Sequence, residues 1–159
     1  MFKFAPWICV FALAAAALQA QTNLPVPVTR TTGMVGIAEG QTAQLNALNP
    51  GVAPPALGVI CSALLSFVTE DGTVLKTKTV SVAPGTSQSI VIDSVKDLAL
   101  ATDERKQIRA AIAIPAPNTA TPACKLIGTL EIFNTLDGRT QVTLGTVHEI
   151  PSPVATPGT

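Results

Sequence analysis

Short runs of alternating apolar residues, cut at intervals by turn dipeptides, constrain this chain more than any other feature. Over 107–114, Ile108, Ala110, Ile112 and Ile114 alternate with Gln107, Arg109, Ala111 and Ala113, the two-residue period of a strand with one face toward a core. Over 41–48, Ala43, Leu45 and Ala47 alternate with Gln44 and Asn46, and Asn49-Pro50-Gly51 ends the run. Over 59–69, Val59, Cys61, Ala63, Leu65 and Phe67 fall on one face, and Ile60, Leu64 and Val68 share the other with Ser62 and Ser66. A strand apolar on both faces is expected in the middle of a packed sheet. Further strands are expected over 73–82, 86–93, 124–134 and 139–150. Asp71-Gly72 and Asp137-Gly138 are hairpin signals, and Pro84-Gly85 is a third turn. Only over 94–106 does the period change. Val95, Leu98 and Leu100 there have helical spacing, which predicts a single turn or a short helix. Seven or eight strands with so little helix point to an all-β, antiparallel two-sheet β-sandwich.

Residues 1–20 are expected to leave the working protein. Lys3 supplies one positive charge, an uncharged run from Phe4 to Leu18 follows, and Ala20 is the small residue at the expected cut. That is the layout of a secretory signal peptide. The run is shorter than the roughly 18 residues that argue for a membrane span, so no span is expected after cleavage. The chain is therefore expected to be secreted or periplasmic. Residues 21–30, with Pro25 and Pro27, suit an extended N-terminal segment. The sandwich is expected over 31–150, with loops over 52–58 and 115–123, and 151–159 reads as a disordered C-terminal tail.

Composition removes several function classes. Once Lys3 leaves, nine basic residues face ten acidic ones, which gives no electrostatic reason to expect nucleic acid as a partner. The only Trp, Trp7, leaves with the leader, as do Phe2, Phe4 and Phe11. Phe67 and Phe133 then remain, both in alternating runs and both expected in the core. Sugars and single-stranded nucleic acid are usually held on exposed aromatic faces, and few are left to expose. Cys9 also leaves. Cys61 and Cys124 remain, and in an oxidising compartment they are expected to form a disulfide tying the sheets together rather than stay as thiols. The architecture is thus immunoglobulin-like only in outline, since no Trp is left to pack on the bridge.

Catalytic and metal-binding patterns are sparse. His148 is the sole histidine, and without a nucleophile motif beside it an ordinary strand histidine is expected. No catalytic residue, cofactor or enzymatic activity is expected. Asp93, Asp97, Asp103 and Glu104 flank the irregular connection and are the best calcium candidates, calcium being an oxygen-seeking ion. Lys96, Arg105 and Lys106 dilute their charge, and a solvated, capped connection is the competing expectation. Two functions from different classes follow. The first is a structural or protein-interaction module that contacts a protein partner through an edge strand, with 73–82 as the candidate edge because Lys76 and Lys78 share one of its faces. The second is a small-ligand or calcium-dependent binding domain using 93–106.

One resemblance accompanies this reading. Gly40-Gln41-Thr42-Ala43-Gln44-Leu45-Asn46 is followed by Cys61, Leu65-Ser66-Phe67 and Asp71-Gly72-Thr73-Val74-Leu75, then by Val82-Ala83-Pro84-Gly85-Thr86-Ser87. With Cys124 and Leu130-Glu131-Ile132-Phe133-Asn134 ahead of Asp137-Gly138-Arg139-Thr140, the order resembles small secreted bacterial β-sandwich proteins of uncharacterised function. The resemblance covers most of 35–145, rests on turn and strand grammar, and implies no catalytic residue.

Overall fold

A computed structural model describes residues 27–51, 59–116, 124–145 and 148–151. The expected leader, residues 21–26, the loop 52–58, residues 117–123 and the tail beyond Pro151 lie outside the described residues. Among the described residues ten strands form: β1 (Val28–Thr31), β2 (Val35–Ala38), β3 (Gln41–Leu48), β4 (Cys61–Thr69), β5 (Val74–Val82), β6 (Ser87–Asp93), β7 (Arg105–Ile114), β8 (Ile127–Asn134), β9 (Thr140–Gly145) and β10 (His148–Pro151). They make two sheets, β10-β1-β7-β4-β5 with β2 also pairing β7, and β6-β3-β8-β9. Every pairing is antiparallel. The expected two-sheet sandwich is therefore the observed architecture.

The core lies where the inner faces of the alternating runs meet. Phe67 and Leu65 of β4, with Ile108 and Ile112 of β7, oppose Leu45 of β3, Ile92 of β6 and Leu130 of β8, all fully buried. Leu100 and Leu126 enter the same core from connections. Cys61 opens β4 and is bonded to Cys124, which precedes β8 in the other sheet, with Cα atoms 5.6 Å apart. The expected cross-sheet bridge is present.

Ten strands rather than seven or eight reflect two local breaks. β1 and β2 both pair with β7, at Ile114–Ala111 and Ile108–Arg105 respectively. Between them Thr32, buried, takes over as a strand partner: its hydroxyl accepts the Ala110 N–H at 2.9 Å, and its own N–H donates to the Ala110 carbonyl at 2.9 Å. The end of the expected extended segment is thus already in the sheet. The expected strand over 139–150 also divides, because β9 pairs β8 whereas β10 pairs β1 in the opposite sheet.

Two side-chain expectations change. β4 is central, between β5 and β7, but its second face is covered only toward its end, where Val68 is buried; Leu64 is 41% exposed, and Ile60, just before the strand, 64%. A sandwich covers each sheet on one side only. Phe133 is not in the core. It sits half-buried on the outer face of the smaller sheet, opposite Thr42 and Thr140. The connection 94–104 does form the single turn that its spacing predicts, with Asp97 N–H on the Asp93 carbonyl at 3.0 Å and Ala99 N–H on the Val95 carbonyl at 3.1 Å.

Candidate functional site

The β4–β5 hairpin is made by Asp71-Gly72. Gly72 has φ +89°, the left-handed region that glycine enters without a Cβ clash. Asp71 Oδ1 accepts the Thr73 N–H at 3.1 Å and the Thr69 hydroxyl, and Oδ2 accepts the Thr73 hydroxyl at 3.1 Å. The Thr69 hydroxyl first, and then the Thr73 donors, hold the Asp71 carboxyl below its usual range. A carboxylate fixed in this way stays ionised to lower pH than a free aspartate.

Beside this turn lies an open cleft of about 350 Å³, walled by Thr69, Glu70, Asp71 and Thr73 on the hairpin and by Arg105, Lys106 and Gln107 at the start of β7. The Arg105 guanidinium lies directly against Gly36 of β2. A Cβ placed on Gly36 would stand 1.8 Å from Arg105 Nε and 2.4 Å from Cζ. Gly36 leaves room for the end of this flexible side chain over β2, and its backbone is not in the left-handed region. Sequence reasoning missed this pair. The available signal was an isolated glycine inside an apolar strand, which often marks a close approach.

The four acidic candidates do not converge. Asp93 and Asp97 share one turn, where Asp93 Oδ1 accepts the Val95 and Lys96 N–H groups at 3.0 and 2.9 Å. Asp97 Oδ2 accepts the Asp93 N–H and Lys76 Nζ, both at 2.8 Å. The Lys76 bond, and next the Asp93 N–H, lower the Asp97 carboxyl from its usual range. Glu104 caps a separate turn through the Ala101 N–H at 3.0 Å, and Asp103 stands beside it in the left-handed region at φ +65°. Among the described residues no group of three or more His, Cys, Asp or Glu is placed to hold a metal ion.

His148 opens β10 opposite Thr31, and Thr31 is itself opposite Ala111, which faces Ser66. Ser66 is thus three strand spacings of about 4.8 Å from the His148 position. A second hollow, about 260 Å³, lies beside the Cys61–Cys124 bridge against Asn49, Val59 and Lys125.

The remaining feature is the sheet edges, which differ in how they are guarded. On β5, Lys76 and Lys78 project across the open side of the sandwich, Lys76 to Asp97 and Lys78 Nζ to the Ser89 carbonyl of β6 at 2.8 Å. On β2, Gln41 Oε1 takes the Ala38 N–H at 2.7 Å. β10 contains Glu149 and ends at Pro151. β6, at one end of the smaller sheet, has its Ser89 carbonyl taken by Lys78; β9, at the other end, reads TQVTLG, with neither charge nor proline, and among the described residues pairs only with β8. No helix among the described residues is long and apolar enough to cross a membrane. Compared with known protein families, characterised proteins and solved structures, the chain shows no match.

Proposed function

We propose that this chain is an exported, non-enzymatic β-sandwich that acts as a structural or protein-interaction module, secreted or periplasmic, with β9 as the edge that receives a partner's strand. Two observations support export: the leader-like pattern of residues 1–20, and a Cys61–Cys124 disulfide of the kind that persists in oxidising compartments. The unguarded edge of β9 carries the interaction reading. Free backbone donors and acceptors on an edge strand pair with an extended segment, and lysines, prolines and covering groups are the usual means of preventing it. The candidate edge at 73–82 is an edge, β5; its lysines reach across the flank of the sandwich to Asp97 and Ser89, which favours β9 for the contact.

The test places a photocrosslinker at Thr143, exposed on β9, or at Thr77, exposed on β5. Protein is recovered from the cell envelope or medium, and its intact mass is expected to lack residues 1–20. One discrete crosslinked partner from Thr143 and none from Thr77 is the expected result. Crosslinks from Thr77 alone would return the contact to β5, and a retained leader would remove the export reading.

A further inference from the structure

We propose that Cys124 is the sulfur through which the Cys61–Cys124 bridge exchanges with external thiols, so that the chain carries a site for a mixed disulfide with a small thiol of the glutathione type. The proposal is independent of strand pairing at β9.

Three observations carry it. First, the fold makes the two sulfurs unequal. Cys61 opens β4 in phase with Ala63, Leu65 and Phe67, so its side chain enters the core and is 2% exposed. Cys124 belongs to the connection ahead of β8 and is only partly buried. Second, the bridge borders the hollow of about 260 Å³, several times the ~30 Å³ share of one water and so roomy enough for a thiol and its adjoining carbon. Lys125 is the one charged side chain on that wall among the described residues, so an incoming thiolate meets an ammonium and no carboxylate. Third, Asn49 on the same wall has both amide hydrogens committed, to the Val59 and Val82 carbonyls, and offers none to a thiolate at Cys61. In the exchange the external thiolate attacks Cys124 Sγ in line with the S–S bond and forms a new disulfide with it. The old bond breaks, and its electron pair leaves on Cys61, which takes a proton from solvent. The external sulfur is oxidised and Cys61 is reduced, with no further oxidant. The reverse step, in which Cys61 displaces the external thiol, closes the bridge. Expelling Cys61 into an apolar core slows the attack by on the order of ten-fold. Attack on Cys61 instead requires the core to open, and the open fraction of a typical domain is roughly 10⁻³ or less. Access outweighs the poorer leaving group, and Cys124 takes the adduct.

The test incubates the folded, oxidised chain with reduced glutathione, stops the exchange with acid at early times and maps the peptides. Native protein is expected to carry glutathione on Cys124 and a free thiol on Cys61, with at least about ten-fold more adduct on Cys124 than on Cys61. In concentrated urea, where both sulfurs are reached, the two adducts are expected to approach equal amounts. Exchange by way of global unfolding would give the urea partition in native buffer as well, so the two routes are told apart. Adduct mainly on Cys61, the same partition with and without urea, or no native adduct at a glutathione concentration that modifies the unfolded chain would overturn the proposal.

Discussion

Asn49 follows β3 and is 5% exposed. Its Nδ2 donates to the Val59 carbonyl at 2.9 Å and the Val82 carbonyl at 3.1 Å, and its Oδ1 accepts the Gly51 N–H at 3.1 Å. Its own backbone bonds to Thr86 and Gly85 at 3.0 and 2.9 Å. The side chain thereby fixes the entry to β4 and the exit from β5, and the backbone of the same residue fixes the turn into β6. Asn49→Ala would leave carbonyls without donors at a buried corner, at a cost of about 1–3 kcal/mol. Urea unfolding is expected to show that loss without a change in slope. A loss below about 0.5 kcal/mol, the level of an ordinary surface change, would mean that water replaces the amide. In the sequence, Asn49-Pro50-Gly51 is legible only as a strand breaker. The amide's reach to Val82 is a tertiary fact that no local pattern contains.

At the level of elements, period two located the strands well, because alternation fixes which residues share a face. It does not fix which face meets the other sheet. Phe133 alternates as cleanly as Phe67 but belongs to the outer set of β8, and Leu64 belongs to the outer set of β4. Nor does alternation over four residues stand out, which is why β1 and β2 were legible only as flanking chain. The lysines of β5 were legible as an edge signal, but their direction was not. Lys76 and Lys78 point across to the β6 side, where the Lys76–Asp97 pair is 40% and 31% exposed. Half-exposed pairs contribute about 0–1 kcal/mol, and lysines on an edge strand are a usual guard against the docking of a second strand. Replacing both lysines by Val is expected to change stability by no more than about 1 kcal/mol while raising self-association. Light scattering across a concentration series reads this directly. A double variant no more associated than its parent would show that the β5 edge needs no guard.

Across the whole molecule the two ends of the sandwich differ. Val28 pairs Pro151, so the described chain begins and finishes at one corner, at the same end as the Ile114 terminus of β7. The Cys61–Cys124 bridge closes that end, whereas the cleft, the Asp93–Asp97 turn and the two Asp-Gly hairpins form the opposite one. The bridge spans a sequence separation of 63 and encloses β4 through β7, including both central strands of the larger sheet. Closing a loop of that length in the unfolded chain corresponds to about 4 kcal/mol in the chain-entropy account, against a total of about 5–15 kcal/mol for a typical domain. A bond of that weight makes the fold depend on where the chain matures. Cys61→Ala combined with Cys124→Ala is expected to lower unfolding free energy by about 2–5 kcal/mol. The loss should appear equally when the parent protein is unfolded under reducing conditions, since both remove the same constraint. Agreement between the two measurements would assign the loss to the bridge, and any excess in the substituted protein to the buried Cys61 side chain, which only the substitution shrinks. A loss below about 1 kcal/mol in both would mean that β4–β7 are already held together in the denatured chain, and that stability is set by strand packing alone.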